Sequence, residues 1–75
     1  MKLSNVQKGQ MFKIINISNV VARQQTIRLG IGEGSTVSCS HKLPYGPIIL
    51  RLGMQEVAIG RNLANEITIK ILEVS

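Results

Sequence analysis

The chain has no aspartate, no tryptophan and a single cysteine, Cys39, in 75 residues. Phe12 and Tyr45 are its only aromatic residues, and Pro44 and Pro47 its only prolines. Each shortage removes a class of protein. A lone cysteine cannot form an internal disulfide, which excludes a stapled secreted scaffold. No stretch reaches the ~20 apolar residues that span a bilayer. The amino end, Met1-Lys2-Leu3-Ser4-Asn5, carries no apolar run behind its lysine and does not read as a secretory signal. A cytoplasmic location without membrane insertion is therefore expected, and the sequon Asn16-Ile17-Ser18 is read as chance. The four acids are all glutamate (Glu33, Glu56, Glu66 and Glu73) and lie on different elements, so no acid–base pair is evident. Two aromatics are few for the stacking platform by which small basic barrels hold single strands, or for an aromatic groove that takes proline-rich peptides.

What remains suits one small globular domain, residues 1–75. Hydrophobic residues make up 44% of the chain, too many for a disordered segment. A core of this size supplies a net stability of only about 3–5 kcal/mol, a thin margin on which to build a deep, dry active site. Nine basic residues stand against the four glutamates, a net charge of +5. They are spread along the chain without a run, and such a balance steers a domain towards acidic protein surfaces or an anionic leaflet.

Glycines punctuate a series of β-rich segments. Met11 to Ile17 is rich in β-branched residues, and Ile14 and Ile17, three apart, both face inward only if the strand bulges. Ser18 to Gly30 has a helix start at Ser18 or Asn19 and a helix stop at Gly30. On a helical wheel Val21, Ala22, Gln25, Thr26 and Leu29 share one side, with Val20 and Ile27 opposite. Thr36 to Lys42 alternates as a strand, and Leu43 to Pro47 is a loop. Ile48–Leu52 and Gln55–Ile59 flank Gly53-Met54, which suits a type II′ two-residue turn. That turn sets Arg51 opposite Glu56 on one face and Ile48, Leu50, Val57 and Ile59 on the other. Gly60 to Glu66 reads as one helical turn capped by Asn62, and Ile67 to Glu73 as the last strand, with Ile67, Ile69 and Ile71 inward. The expected fold is mainly β: a small five-stranded barrel with one inserted helix and a short helical turn before the last strand.

Two motifs tempt a chemical reading. Gly30-Ile31-Gly32-Glu33-Gly34 has the spaced glycines of a phosphate loop, but it follows a helix and opens a strand, the reverse of what such loops require. Cys39 and His41, two apart on one strand, would share a face and could form a soft metal half-site for Fe2+ or another divalent ion. The other reading is a buried Cys39 beside Val37, with His41 near water. A site bridging two copies would complete the half-site. No catalytic residue and no cofactor are assigned. An exposed Cys39 with a depressed pKa would be needed for an enzyme.

Longer strings carry a family resemblance. Leu29-Gly30-Ile31-Gly32-Glu33-Gly34-Ser35-Thr36-Val37 is similar to the turn after the helix in the FeoA family, the small ferrous iron transport proteins A. Gly46-Pro47-Ile48, the segment Ala58-Ile59-Gly60-Arg61 and Ala64-Asn65-Glu66-Ile67 resemble the family's second half, and Leu3-Ser4-Asn5-Val6-Gln7-Lys8-Gly9 its usual start. Glu33 stands where proline is common, Gln25-Thr26 where an Arg-Leu pair is usual, and the loop at Pro44 to Pro47 is one residue shorter than a common form. The resemblance implies an SH3-like barrel and a non-enzymatic, cytoplasmic accessory role in bacterial ferrous iron uptake. It implies as partner FeoB, the membrane transporter with a cytoplasmic GTP-hydrolysing domain. Arg23 and Arg28 on the helix and Tyr45 in the proline loop are the contact residues expected on that reading. A basic barrel that binds nucleic acid is the alternative.

Overall fold

The computed structural model describes residues 1–72. A short 3-10 turn at Leu3–Asn5 leads into five strands: β1 Met11–Ile17, β2 Thr36–Lys42, β3 Ile48–Leu52, β4 Gln55–Ile59 and β5 Ile67–Ile71. Helix α1, Val20–Arg28, joins β1 to β2, and the single-turn helix α2, Arg61–Ala64, joins β4 to β5. The strands are antiparallel in the order β4-β3-β2-β1-β5. The two outermost strands do not pair, yet inward side chains from all five strands meet in one core. The sheet is therefore curled into a small SH3-like barrel, with α2 crossing between its two ends. The reading of Ile67 to Glu73 as a strand holds as far as Ile71; Glu73 lies outside the described residues.

The hairpin forms in the register expected from its turn. Leu52 faces Gln55, Arg51 faces Glu56, Leu50 faces Val57 and Ile48 faces Ile59. Gly53 supplies the positive φ, +56°, that a II′ turn needs at its first central position, where a side chain would be strained. Ile48, Leu50 and Ile59 are fully buried; Val57 is only half-buried, because it belongs to an edge strand.

β1 bulges between Ile14 and Asn16, so Ile14 and Ile17 both point inward while Ile15 is turned out. This is the geometry that their three-residue spacing demands. A second bulge, in β2, has no counterpart in the sequence reading. Cys39 pairs with Leu50 but His41 pairs with Ile49, leaving Ser40 as the extra residue. The alternation of β2 is reset at that point.

α1 is capped as read. The Asn19 side chain accepts the Ala22 N–H at 2.7 Å. At the other end the Ile31 N–H reaches Thr26 O (2.8 Å) and the Gly30 N–H reaches Ile27 O (3.0 Å), the paired bonds of a Schellman ending with Gly30 at φ +83°. Ile31 then turns into the core. The wheel's broad apolar side is corrected: only Ala22 and Thr26 are buried, while Val21 stays exposed with Val20 and Ile27. A stripe of two small residues lets the helix lie close to the barrel and leaves its larger apolar side chains outside. The cap of α2 is also corrected. Gly60, not Asn62, is its N-cap, and no side chain caps it. Asn62 sits inside the turn.

The first residues complete the core. Leu3 and Val6 are fully buried, and the start of the chain lies along β5 through a Lys2–Thr68 bridge and an Ile69 N–H to Met1 O bond of 2.7 Å.

Candidate docking surface

The glycine-rich turn after α1 has its amides committed. Gly34 N–H bonds Ile14 O (2.7 Å), Ser35 N–H bonds Gly32 O (3.1 Å) and Gly32 N–H bonds Ser35 Oγ (3.2 Å). Together with the Gly30 and Ile31 amides used to end the helix, this leaves no row of free N–H groups to cradle a phosphate. The turn ties α1 to the barrel, and Glu33 adds to the tie. Its Oε2 accepts the Ile17 N–H at 3.1 Å and lies 3.7 Å from Arg23 Nη2. Arg23 Nε donates to Ile17 O at 3.2 Å. Thus Glu33, at the position where the resemblance has proline, and Arg23 together clamp the end of β1.

Cys39 and His41 do not share a face. Cys39 is buried beside Leu50 and Val37; the Ser40 bulge turns His41 out into solvent. Burial pushes the Cys39 thiol above its ordinary pKa, partly offset by the nearby Lys42 charge. Its Sγ lies 3.5 Å from the His41 backbone oxygen, towards which the thiol points. Outside, His41 Nδ1 and Ser40 Oγ are 2.9 Å apart, Ser40 Oγ donates to Glu56 Oε2 at 2.7 Å, and Glu56 lies 3.7 Å from Arg51. A nucleophilic triad needs histidine between the hydroxyl and the carboxylate; here the serine stands between them and its proton points to the acid. The array binds β2 to β3 and β4 across the outer face. Among the described residues no group of three or more His, Cys, Asp or Glu side chains could hold a metal ion.

The surface features of another kind are apolar. Val20, Val21 and Ile27 are each about two-thirds exposed, at 68%, 65% and 68%. Val20 and Val21 line a groove between α1 and α2, completed by Gln25, Asn62, Leu63 and Glu66. The groove is held at one end by Ser18, whose hydroxyl bonds Glu66 Oε2 and whose N–H reaches Glu66 O at 2.9 Å. A second groove runs between the end of α1 (Ile27, Arg28, Leu29) and β4 (Gln55, Glu56, Val57).

Tyr45 is fully exposed, at positive φ (+59°), on the loop between β2 and β3. That loop is pinned by Arg61 of α2, whose Nε donates to Gly46 O (2.8 Å) and Nη2 to Leu43 O (2.7 Å). Neither this clamp nor Val20 and Val21 as a contact surface stands out in the sequence. Of the three expected contact residues, Arg23 is engaged with Glu33 and Ile17, Arg28 stands in the β4 groove, and Tyr45 is presented by the α2 side of the molecule.

The family model of the FeoA domain matches residues 1–71. Among solved structures, a crystal structure of an iron uptake regulatory protein, FeoA, is 32% identical, with a TM-score of 0.89, over 96% of this chain and 97% of its own. The FeoA protein of Chlorobium tepidum is 27% identical, with a TM-score of 0.83, over 97% of this chain and 71% of its own. A FeoA-like protein of Clostridium acetobutylicum shares the fold at 23% identity and a TM-score of 0.86, over 100% of this chain and 90% of its own. No curated protein matches the sequence. With the match of nearly its whole length and the barrel, capped helix and glycine turn described above, the chain belongs to the FeoA family.

Proposed function

We propose that this chain is a non-enzymatic docking protein of ferrous iron uptake that binds a FeoB-like membrane transporter on its cytoplasmic side and modulates its assembly or activity. FeoA membership ties the chain to ferrous iron uptake. The observation that carries the docking role is the apolar surface left outside on α1. A domain with a marginal core gains nothing for its own stability from exposing Val20 and Val21, and neighbouring apolar side chains rimmed by polar ones, as these two are in the α1–α2 groove, mark interaction sites. The groove of Val20, Val21 and Leu63, with Tyr45 presented from the α2 side, is the principal contact surface on this reading. The +5 charge adds long-range attraction to an acidic partner surface. The reading assigns no role to the Cys39–His41 pair, since the thiol is buried away from the imidazole. Phe12 is fully buried, so Tyr45 is the one aromatic ring on offer, which favours docking over the stacking of single-stranded nucleic acid.

The test is titration of the transporter's purified cytoplasmic domain with this chain. Micromolar, salt-sensitive binding that maps to α1 and α2 is expected. Absence of binding at those concentrations, or a tighter salt-dependent shift of RNA or DNA, would refute the proposal.

A further inference from the structure

The two edges of the sheet are treated differently. β5 is covered, through Lys2–Thr68 and the Ile69 N–H to Met1 O bond, and carries Lys70. β4 has none of the usual protections of an edge: no lysine, no proline, no bulge and no covering segment among the described residues. Its one charged side chain, Glu56, is already engaged, paired with Arg51 and accepting a hydrogen bond from Ser40.

Hairpin geometry shows which backbone groups are free. In a two-residue hairpin the flanking residues, Leu52 and Gln55, form a hydrogen-bonded pair, so such pairs recur at Leu50–Val57 and Ile48–Ile59. Glu56 and Ala58 therefore turn their N–H and C=O groups away from β3, and no turn, loop or cap among the described residues bonds them. Beside this open ladder lies the groove of about 530 Å³ between β4 and the end of α1. Its apolar surface comes from Ile27, Leu29 and the half-buried Val57. Two charged side chains line it: Glu56, which is paired with Arg51, and Arg28, which has no ion-pair or hydrogen-bond partner among the described residues.

We infer that β4 is a strand-addition site for an extended segment of a partner protein, one that alternates apolar side chains and carries an acidic residue opposite Arg28. The backbone ladder of Glu56 and Ala58 sets the extended conformation. The apolar groove selects every second side chain, and Arg28, the uncompensated charge of the groove, selects the acid. This goes beyond the α1–α2 docking surface: it is a second site with its own ligand chemistry.

A phage-displayed library of random twelve-residue peptides, selected on the intact chain, is the probe. The expected result is enrichment of peptides alternating β-branched residues with glutamate or aspartate, and binding that slows hydrogen exchange at the Glu56 and Ala58 amides. Ala58→Pro removes an outward N–H without touching the β3–β4 bonds, so it should leave the fold intact and weaken the selected peptides by at least about tenfold. Arg28→Glu should shift the preference to lysine-bearing peptides. Three results would overturn the inference: no enrichment, equal binding to Ala58→Pro, or Glu56 and Ala58 amides protected without peptide in a concentration-dependent dimer, which would mean that a second copy fills the edge. The transporter's cytoplasmic domain separates this inference from the proposed function. Binding of that domain unaffected by Ala58→Pro removes β4 from that contact and leaves the function standing; peptide binding at β4 with no binding of the domain does the reverse.

Discussion

Replacing Val20 and Val21 by glutamate should leave stability nearly unchanged while weakening docking. The two residues open α1 just after its Asn19 cap, and no acidic side chain stands in that first turn. A carboxylate there interacts favourably with the helix dipole, worth about 0.3–1 kcal/mol per residue at an exposed site, and glutamate has a better helix propensity than valine. Against this stands the apolar burial forfeited by the covered third of each side chain. Full burial of a valine is worth about 1.5–3 kcal/mol, so a third amounts to roughly 0.5–1 kcal/mol. The opposing effects nearly cancel, and Val20→Glu and Val21→Glu should each shift the midpoint of thermal unfolding by no more than about 4–8 °C, the equivalent of 1 kcal/mol in a domain of this size. Docking should respond far more. Burying the exposed two-thirds of one of these valines in an interface contributes about 1–2 kcal/mol by the same burial scale, roughly a five- to thirtyfold change in affinity, and a buried unpaired carboxylate adds a penalty. The assay is thermal denaturation by circular dichroism beside a binding titration with the transporter's cytoplasmic domain. A fall in stability of more than about 2 kcal/mol, or unchanged binding by both variants, would show that these valines serve the fold and not a partner.

Leu3→Ala should cost about 2–5 kcal/mol by opening a cavity under a fully buried side chain, close to the whole stability of so small a domain, and urea titration should find it largely unfolded. Arg61→Gln removes the two charge-assisted bonds to Gly46 O and Leu43 O; one of these carbonyls is exposed to water, so the expected cost is about 1–2 kcal/mol, with faster amide exchange across residues 43–46. The raised pKa of the Cys39 thiol means that the folded chain holds its proton longer than the unfolded one. Stability from this source is complete below the ordinary thiol pKa and is lost as the pH rises through the higher folded value, so unfolding free energy should decline at alkaline pH and the decline should lessen in Cys39→Ala. Thiol-reactive dye should meanwhile label the native chain far more slowly than the denatured one.

The parts of this fold legible in the sequence are those where one local constraint satisfies two demands. The β3–β4 register follows from Gly53-Met54 because a single alignment pairs Arg51 with Glu56 and also buries Ile48, Leu50 and Ile59. The β1 bulge follows because Ile14 and Ile17 cannot otherwise both reach the core. The β2 bulge is hidden because Thr36 to Lys42 alternates without a break; the displacement at Ser40 comes from pairing with β3, and it separates the thiol of Cys39 from the imidazole of His41. The helical wheel of α1 fails for a related reason. A wheel shows which residues share a side but not how close the neighbouring layer comes, and a close approach admits Ala22 and Thr26 while turning Val21 out. Arg61 reads as one basic residue among nine until the loop of Tyr45 folds back over α2 to receive it. Leu3 and Val6 carry too short an apolar pattern to announce an element, yet they fill the core from the start of the chain.

On the proposed reading the surface of α1 and α2 is covered by a partner in iron uptake. Hydrogen exchange of the isotope-labelled chain with and without the transporter's cytoplasmic domain tests it most directly. Slowed exchange around Val20, Val21 and Leu63, abolished in Val21→Glu, is expected; an exchange pattern identical with and without the domain at saturating concentration would rule out docking at this surface.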